Sequence, residues 1–409
     1  MASFLWTERA DFGPGARRGA AMTYDATRGE TVLFGGESIG IGALGDTWEW
    51  DGVEWAEESN FGPAARKEAG LAFASGSNVS VLFGGVTSNG QFFGDTWQWD
   101  GAEWTEVADS GPSARSGVGM VYDSNRSRVV LFGGVGANGA LGDTWEFDGQ
   151  AWTQQKETGP TPRSGVSMGY DSTNKVTVLF GGLGADGNTV GDTWTWDGSK
   201  WVQVAEFGAA SRYVAAMSGG PGSLVLMGGL AGSGTTAEPL EDTWLWSGNK
   251  WTQLENIGPG PLADAAMVLD SARSKVVLFG GTLVTAANVT AAGSTPFSGN
   301  TWEGPQPAGT TVVSSVAVQS VVANPSAVKQ GQSFNLTITL TGPAPAGGVS
   351  LSFGSTPDGH TIANPETLQV AAGQSSITVS VTAPAGSGDI GFLAETPGTA
   401  PALCVVQVS

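Results

Sequence analysis

The sequence contains a single cysteine, Cys404, and a single histidine, His360. One thiol cannot form an intrachain disulfide, and one imidazole with one thiolate cannot assemble a zinc or copper site from these ligand types. A Ser-His-Asp arrangement would depend on His360, and nothing in the sequence marks a serine for it. Metal and nucleophilic catalysis by known routes is therefore poorly supported. Carboxylate chemistry of the kind used in glycoside hydrolysis stays open.

Charge and long apolar runs are also scarce. Charged residues make up 14% of the 409 residues, and the formal net charge is −20. An acidic chain is repelled by phosphate backbones and anionic lipid surfaces, so we predict neither a nucleic-acid partner nor membrane insertion. The first residues lack the basic region and apolar core of a signal peptide. We expect a secreted or cell-surface bacterial protein whose signal peptide has been removed.

What the sequence does contain is one pattern that occurs six times. A β-branched and aromatic run ends in a glycine pair, a polar loop follows, and a second run opens with Asp-Thr-Trp. The glycine pairs begin at Gly35, Gly84, Gly133, Gly181, Gly228 and Gly280. The triplets begin at Asp46, Asp95, Asp143, Asp192 and Asp242, and the sixth is Asn300-Thr301-Trp302. The separate tryptophans are Trp6, Trp55, Trp104, Trp152, Trp201 and Trp251. Four strands in a period of about 48 residues predict the blade of a β-propeller.

These units resemble kelch repeats, whose signature is the glycine pair after a hydrophobic run together with spaced tryptophans. The resemblance covers residues 1–306 and implies an all-β, six-bladed propeller. Trp6 belongs to the outermost strand of a blade whose other strands have not yet appeared, and no partner tryptophan follows Trp302. We therefore expect the N-terminal strand to complete the sixth blade, which removes a free sheet edge. The tryptophans are expected to pack between neighbouring blades.

The composition changes near residue 307, after which tryptophan is absent. Short alternating segments separated by proline and glycine predict a β-sandwich over residues 307–409. The predicted strands are Val313–Val318, Phe334–Thr341, Val349–Phe353, Ser376–Val381 and Val405–Val408. The region resembles bacterial immunoglobulin-like modules, although it has no Cys-Trp-Cys core. Such modules most often serve as spacers or docking units on secreted and surface proteins.

Two columns of charge recur in the repeats. The arginines Arg17, Arg66, Arg115, Arg163 and Arg212 stand at the start of the first strand, and the triplet aspartates stand at the start of the third. Strands one and three of an antiparallel blade begin at the same end, so both columns lie on one face. Repeat six lacks both, with Leu262 and Asn300 at these positions. Their joint loss suggests arginine–aspartate pairing within a blade, which is the structural interpretation.

The functional interpretation is that some of these arginines are free and form a basic ring around the axial opening. Kelch propellers commonly bind ligands on this face, sometimes through arginines near the start of the inner strand. The resemblance therefore implicates the five arginines as binding residues, with Tyr213 beside Arg212. Arginine and tyrosine together would suit a carboxylate or a sugar acid.

The loops between strands two and three share this face and differ most in length. Leu230–Glu241 in repeat five and Thr282–Gly299 in repeat six are the longest. A rigid ring with unequal loops is typical of recognition surfaces. Phe92, Phe93 and Phe297 are apolar residues at such loops and are candidate binding residues; burial under the loop is the alternative.

Galactose oxidase also combines a kelch propeller with an immunoglobulin-like domain, but its copper needs two histidines and a tyrosine crosslinked to a cysteine. With one histidine this chain cannot reproduce that site. We predict no cofactor, although a calcium ion among axial backbone carbonyls would need few signature residues. The leading hypothesis is a non-catalytic protein that binds a protein or glycan on the loop-bearing face. The alternatives are a metal-independent mutarotase, epimerase or lyase acting on carbohydrate, and a structural component of a surface layer or fibre.

Overall fold

The structure is a computed structural model that describes residues 3–9, 13–58, 61–108, 110–155, 158–205, 208–232, 237–248, 250–283, 297–306, 318–343, 349–356, 363–371, 373–383, 388–395 and 402–408. Regular structure in these residues is β-strand throughout, and they include no helix long and apolar enough to cross a membrane. The chain divides into two compact units, Met1–Thr310 and Thr311–Ser409, each of which is described by itself.

The described residues of the first unit contain six sheets built on four antiparallel strands each, which we number one to six in chain order, and five small two-stranded sheets. The first strands are Ala21–Asp25, Gly70–Ala74, Gly119–Asp123, Ser167–Asp171, Ala216–Gly220 and Ala266–Asp270. The second strands are Glu30–Phe34, Val79–Phe83, Arg128–Phe132, Val176–Phe180, Ser223–Met227 and Lys275–Phe279. The third strands are Thr47–Trp50, Thr96–Trp99, Thr144–Phe147, Thr193–Trp196, Thr243–Trp246 and Thr301–Pro305. The fourth strands are Trp55–Glu57, Trp104–Ala108, Trp152–Gln154, Trp201–Ala205, Trp251–Ile257 and, for sheet six, Thr7–Arg9.

Short two-residue strands lie in the segments that join the sheets and in the loops between second and third strands. They pair as Glu37–Ser38 with Gly42–Ala43, Val135–Gly136 with Gly139–Ala140, Arg163–Ser164 with Leu183–Gly184, Leu230–Ala231 with Glu238–Pro239, and Leu262–Ala263 with Thr282–Leu283. All of them lie at the end of the sheets where the first and third strands begin. We call this end the arginine face, because Arg17, Arg66, Arg115, Arg163 and Arg212 lie there.

The sheets form a closed ring. The first strands contact one another in sequence from sheet one to sheet six, and the first strand of sheet six contacts that of sheet one. Thr7–Arg9 pairs antiparallel with Thr301–Pro305, which is the pairing that the order of the repeats predicts for the N-terminal strand. Ser3–Leu5 also pairs, in parallel, with the fourth strand of sheet five. The N-terminal segment therefore joins sheets five and six as well as completing sheet six.

Tryptophans from the fourth strands fasten each sheet to the preceding one. Trp201 packs edge-on against Phe132 of sheet three, with ring centroids 5.4 Å apart, and its indole N–H donates to Oγ1 of Thr144 at 2.8 Å. The same indole-to-threonine bond occurs for Trp55 with Thr301, Trp104 with Thr47, Trp152 with Thr96 and Trp251 with Thr193. At the sixth junction the indole N–H of Trp6 and the hydroxyl of Thr243 are both buried and have no hydrogen-bond partner among the described residues. The threonine of five of the six triplets thus forms a hydrogen bond between sheets.

A belt of main-chain hydrogen bonds runs around the axis at the arginine face. One residue from each sheet, two positions after the arginine column, donates its N–H to the carbonyl of the equivalent residue in the preceding sheet. The belt residues are Gly19, Glu68, Gly117, Gly165, Val214 and Asp264, and the six N–O distances are 2.8 to 2.9 Å. All six have φ between 48° and 63°, in the left-handed region that favours glycine. Sheet one donates to sheet six, so the belt is closed.

The glycine pairs are explained by a second contact between sheets. The N–H of Gly134 donates to the carbonyl of Arg163 in the next sheet at 2.9 Å. A Cβ on Gly133 would lie 2.6 Å from that same carbonyl oxygen, so a side chain has no space there. The other five pairs are placed alike, including Gly280 and Gly281 against Arg17.

A second group of ion pairs lies at the end opposite to the arginine face. Arg126 donates from Nε to Asp123 at 2.7 Å and from Nη1 to Glu146 at 2.6 Å, and Trp196 of the next sheet donates to Glu146 at 2.9 Å. Sheet one repeats this arrangement with Asp25, Arg28, Glu49 and Trp99, and sheet six repeats the ion pairs with Asp270, Arg273 and Glu303. These charged side chains are bonded to one another within a sheet and, in sheets one and three, to a tryptophan of the next sheet.

The second unit has two sheets around one apolar core. Val318–Asn324, Ser333–Leu340 and Ser376–Thr382 form the first sheet, and Ala327–Val328, Ala402–Val408, Gly388–Glu395, Val349–Thr356 and Ala363–Val370 form the second. Leu336 and Ile338 of the first sheet and Phe392 and Val406 of the second are buried in this common core. The strands Ala327–Val328, Ala363–Val370 and Gly388–Glu395 were not predicted, and Val318–Asn324 shares only its first residue with a predicted strand. The predicted strand at Val313–Val318 lies mostly outside the described residues.

Candidate functional site

The five arginines of the column each pair with the aspartate of their own sheet. Arg115 is typical: Nη1 and Nη2 donate to Oδ1 and Oδ2 of Asp143 at 2.6 and 3.0 Å. Nη1 also donates to the carbonyl of Gly133, and Nε donates to the carbonyl of Ser113. The other pairs are Arg17 with Asp46, Arg66 with Asp95, Arg163 with Asp192 and Arg212 with Asp242. Each guanidinium therefore links the starts of the first and third strands to the end of the second.

Burial and charge both show that this column is structural. The five arginine residues are only 1 to 3% exposed. Burial acts to raise the pKa of Asp143, but the hydrogen bond and charge of Arg115, with a bond from the Trp145 indole, outweigh it and lower the pKa. The pKa values of Asp46, Asp95 and Asp242 are lowered in the same way. The prediction of a basic ring of free arginines is thus wrong for these five side chains, because paired and buried guanidinium groups present no open ring of charge.

The predicted aromatic binding residues are all half-buried. The Phe93 ring lies under the guanidinium of Arg66, with 3.9 Å from Cζ to the ring centroid, and Phe92 forms a β-bridge with Val86. Phe297 lies 5.1 Å from Cζ of Arg18, the residue after the arginine column. The long loops that were expected to carry recognition lie partly outside the described residues, at 233–236 and 284–296, as does His360.

The structure instead brings together a cavity on the axis at the arginine face. It has a volume of about 260 Å³ and is lined by all six belt residues and by Tyr213, Ser164 and small apolar side chains. We call this cavity the axial pocket. Within the belt, Glu68 and Asp264 are the acidic residues, and they follow one another around the ring with only Gly19 between them. A methyl group on Gly19 would lie 3.2 Å from Oδ2 of Asp264 and 3.4 Å from Cγ of Glu68.

Asp264 has an unusual environment for a carboxylate. Among the described residues no side chain or N–H group is hydrogen-bonded to its carboxyl oxygens. Burial, and next the charge of Glu68, raise the pKa of Asp264 to about 7, although Arg18 and Lys67 oppose the shift. Burial and the charge of Asp264 also raise the pKa of Tyr213, whose hydroxyl likewise has no hydrogen-bond partner within the described ranges.

The cations beside the axial pocket are engaged with another carboxylate. Glu37 accepts from Nη2 of Arg18 at 2.8 Å and from Nζ of Lys67 at 2.7 Å. Burial acts to raise the pKa of Glu37, but these two hydrogen bonds outweigh it and lower that pKa. Glu68 accepts a hydrogen bond from Ser116 at 3.0 Å. Both cations are therefore bonded to Glu37, Glu68 is bonded to a serine, and Asp264 accepts no hydrogen bond within the described part of the chain.

A second cavity of about 350 Å³ lies toward the other end of the axis. Five methionines at one repeat position contribute to its lining: Met22, Met120, Met168, Met217 and Met267. Most of each of these side chains is packed between neighbouring first strands. We therefore treat this cavity as packing along the axis and the axial pocket as the candidate site. The part of the chain that the structure describes holds no group of three histidine, cysteine or acidic side chains able to bind a metal.

Comparisons with known proteins agree with this architecture. Residues 101–281 match the family model described as the KLHDC2/KLHL20/DRC7 Kelch-repeats domain. One solved chain with a similar structure is titled "Structure of YjhT"; the match has a TM-score of 0.55 and 16% sequence identity, and it covers 70% of this chain and 95% of that chain. The repeat region has the fold of a kelch β-propeller. At 16% identity, the similarity to this solved chain shows the fold alone. No curated protein matches this chain.

The sequence contains a signal for the axial pocket at one position of the repeat. Two positions after the arginine column, repeats one, three and four have glycine, whereas repeats two and six have Glu68 and Asp264. An acidic residue at a position that favours glycine is costly for the backbone. The departure could have been recognised from the alignment of the six repeats. That the two side chains line one cavity depends on closure of the ring.

Proposed function

We propose that this chain is a non-catalytic binding protein whose arginine face recognises a protein partner. In this proposal the six sheets are the blades of a six-bladed kelch propeller spanning residues 1–306, and residues 307–409 are an immunoglobulin-like spacer or attachment module. The observation that carries it is the axial pocket, a concave site with a few polar groups and with a carboxylate, Asp264, that accepts no hydrogen bond within the described ranges; such pockets are the usual form of a binding site. Secretion and bacterial origin stay predictions.

The loop of sheet one adds apolar surface to the same face. Ile39 and Ile41 are 56% and 75% exposed at the tip between Glu37–Ser38 and Gly42–Ala43. The N–H of Ala43 donates to Ser88 of the neighbouring loop at 2.6 Å, which supports this tip from the side. A polar pocket on the same face as exposed aliphatic side chains suits a protein surface better than a glycan, which offers few aliphatic groups. Protein recognition is also the general role of kelch domains.

The test is selection of ligands from a random peptide display library with the whole chain, followed by calorimetric titration of the selected peptides. We expect saturable binding that weakens about tenfold in the Ile39→Ser/Ile41→Ser variant. Glu54→Gln, which removes an exposed charge at the opposite end, serves as the matched control and should leave binding unchanged.

Other outcomes would redirect the proposal. Peptides that bind the double variant and the wild type equally would place recognition elsewhere. Binding on a glycan array without any peptide ligand would favour the glycan alternative. Turnover of a sugar that is lost in Asp264→Asn would overturn the non-catalytic role and favour the carbohydrate-processing alternative, since a carboxyl with a pKa near 7 suits general acid–base catalysis.

A further inference from the structure

We propose that the axial pocket binds the primary ammonium group of the partner, between the side chains of Asp264, Glu68 and Tyr213. This inference rests on the proposed function and specifies the chemistry that the site recognises. A lysine side chain and a free N-terminus both carry such a group.

The first step in the argument is an imbalance of charge. Around the pocket, Glu37 receives hydrogen bonds from both Arg18 and Lys67, so the cations nearest to Asp264 are already bonded. Asp264 and Glu68 flank Gly19 and repel each other across it. A bound cation would relieve this repulsion, whereas a bound carboxylate would increase it. The favoured ligand is therefore positively charged.

The second step concerns the shape of the acceptors. Among the described residues, the acceptors that receive no hydrogen bond are the carboxylate of Asp264, the Oε1 atom of Glu68 and the hydroxyl of Tyr213, and these residues belong to three different sheets around the pocket. An ammonium group has three donors that diverge from one point, and it can reach acceptors on separate walls. A guanidinium instead matches one planar carboxylate, which is the geometry of the pair between Arg115 and Asp143. The axial pocket offers the first arrangement.

The third step is the environment of the pocket. Its remaining walls are small apolar side chains and glycines, among them Ala20, Val118 and Val166. Such walls lower the local dielectric constant and strengthen an ion contact that is made inside them. They also leave space for the methylene groups of a lysine side chain to pack.

A small probe tests the site without any partner protein. The whole chain would be titrated calorimetrically with n-butylammonium and with the neutral n-butyramide. We expect saturable binding of the ammonium alone and a weakening of about tenfold or more in Asp264→Asn, because a charged hydrogen bond is lost. Asparagine tolerates the left-handed conformation that this position requires, so the variant should keep its fold. Tyr213→Phe should weaken binding less, and Glu54→Gln should have no effect.

The dependence on pH gives a second readout. Arg18, Lys67, Glu37, Glu68 and Tyr213 are the charged and titratable groups that surround Asp264. Because a cation binds the ionised carboxylate, its affinity should rise between pH 6 and pH 8, and binding near pH 7 should release a proton, measurable in buffers of different ionisation enthalpy. Asp264→Asn should remove both effects.

The outcomes separate the two proposals. Equal affinity for butylammonium and butyramide, or unchanged affinity in Asp264→Asn, would overturn ammonium recognition. If selected peptides nevertheless bind the arginine face, the proposed function stands without it. When butylammonium binds as expected, selected peptides carrying lysine or a free N-terminus would be acetylated one amine at a time. The amine whose acetylation abolishes binding would be the source of the ammonium group. If neither acetylation of lysine nor acetylation of the N-terminus weakened binding, the proposal for the partner would be overturned.

Discussion

Sheet six and the five sheets before it reach the same architecture with different residues at one corner. In sheets one to five a buried arginine joins three strands through the triplet aspartate and a glycine carbonyl. In sheet six Leu262 is buried in the apolar core at the arginine position, and Asn300 donates to Glu8 of the N-terminal segment. A buried ion pair can thus be exchanged for apolar packing if both charges leave together, as the energetics of such pairs predict.

The two regions also differ in how the chain holds them. The fourth strands of sheets one to five follow directly from the third, whereas that of sheet six comes from the other end of the chain. Sheet six is therefore joined to its outer strand by hydrogen bonds and packing alone. The weakest junction of the ring should lie there, between sheets five and six.

The largest effect should follow from removing residues 1–9. Phe4 and Trp6 are buried in the core shared by sheets five and six, and each buried aromatic side chain contributes about 3–5 kcal/mol. We expect the truncated chain to unfold at much lower temperature and to bind a hydrophobic dye, as seen by calorimetry and fluorescence. Removal of residues 1–2 alone is the control. An unchanged melting temperature would show that the N-terminal strand does not close the ring.

The ion pairs offer the next test. Arg115→Ala should destabilise the protein by about 3–5 kcal/mol, since the carboxylate of Asp143 and the carbonyl of Gly133 would lose their donor. The double variant Arg115→Leu/Asp143→Asn, which copies sheet six, should cost less than Arg115→Ala. Denaturant unfolding monitored by tryptophan fluorescence measures both. If the double variant were less stable than Arg115→Ala, removing both charges together would not be tolerated better than removing the arginine alone.

The threonine contacts should give a smaller effect that differs between junctions. Thr144→Val leaves the buried indole N–H of Trp201 without an acceptor and should cost about 1–3 kcal/mol. Thr243→Val removes a hydroxyl that no described residue hydrogen-bonds, so it should be neutral or slightly stabilising. The same denaturant experiment compares them. Equal losses would mean that Trp6 and Thr243 are bonded in solution.

The smallest expected effect is a dependence on pH that is opposite in sign for two aspartates. Because folding raises the pKa of Asp264, this residue contributes most to the stability of the fold at a pH below its pKa in the unfolded chain. That contribution is lost as the pH rises through about 7. Because folding lowers the pKa of Asp143, this residue stabilises the fold at a pH above its pKa in the unfolded chain. That stabilisation is lost as the pH falls.

Thermal unfolding from pH 5 to pH 8 measures the first of these effects. Asp264→Asn should gain stability relative to wild type as pH rises over this range. A constant difference between the two proteins would show that the carboxyl of Asp264 titrates normally.

Much of this fold could be predicted because the same sequence pattern occurs in six repeats. The glycine pairs, triplets and tryptophans gave the strand order, and the joint loss at Leu262 and Asn300 indicated that the arginines and aspartates pair. The ion pairs of Arg28, Arg126 and Arg273 were missed because they occur in only three repeats. The strand Ala363–Val370 was missed because it includes Asn364 and Pro365, which local propensity assigns to turns. The axial pocket was missed because its residues meet only when the ring closes.

The belt has a consequence for the electric field at the axis. A helix terminus directs its peptide dipoles along one line, and their sum attracts a charge of one sign. In the belt each N–H points to the preceding sheet, so the six dipoles follow one another around a circle and their vector sum along the axis is close to zero. The main chain therefore imposes no polarity on the opening. The potential there is set by side chains, namely Glu68 and Asp264 together with Arg18, Lys67 and Glu37 beside them. Substitutions at Glu68 and Asp264 could therefore change this potential without breaking a main-chain hydrogen bond of the belt.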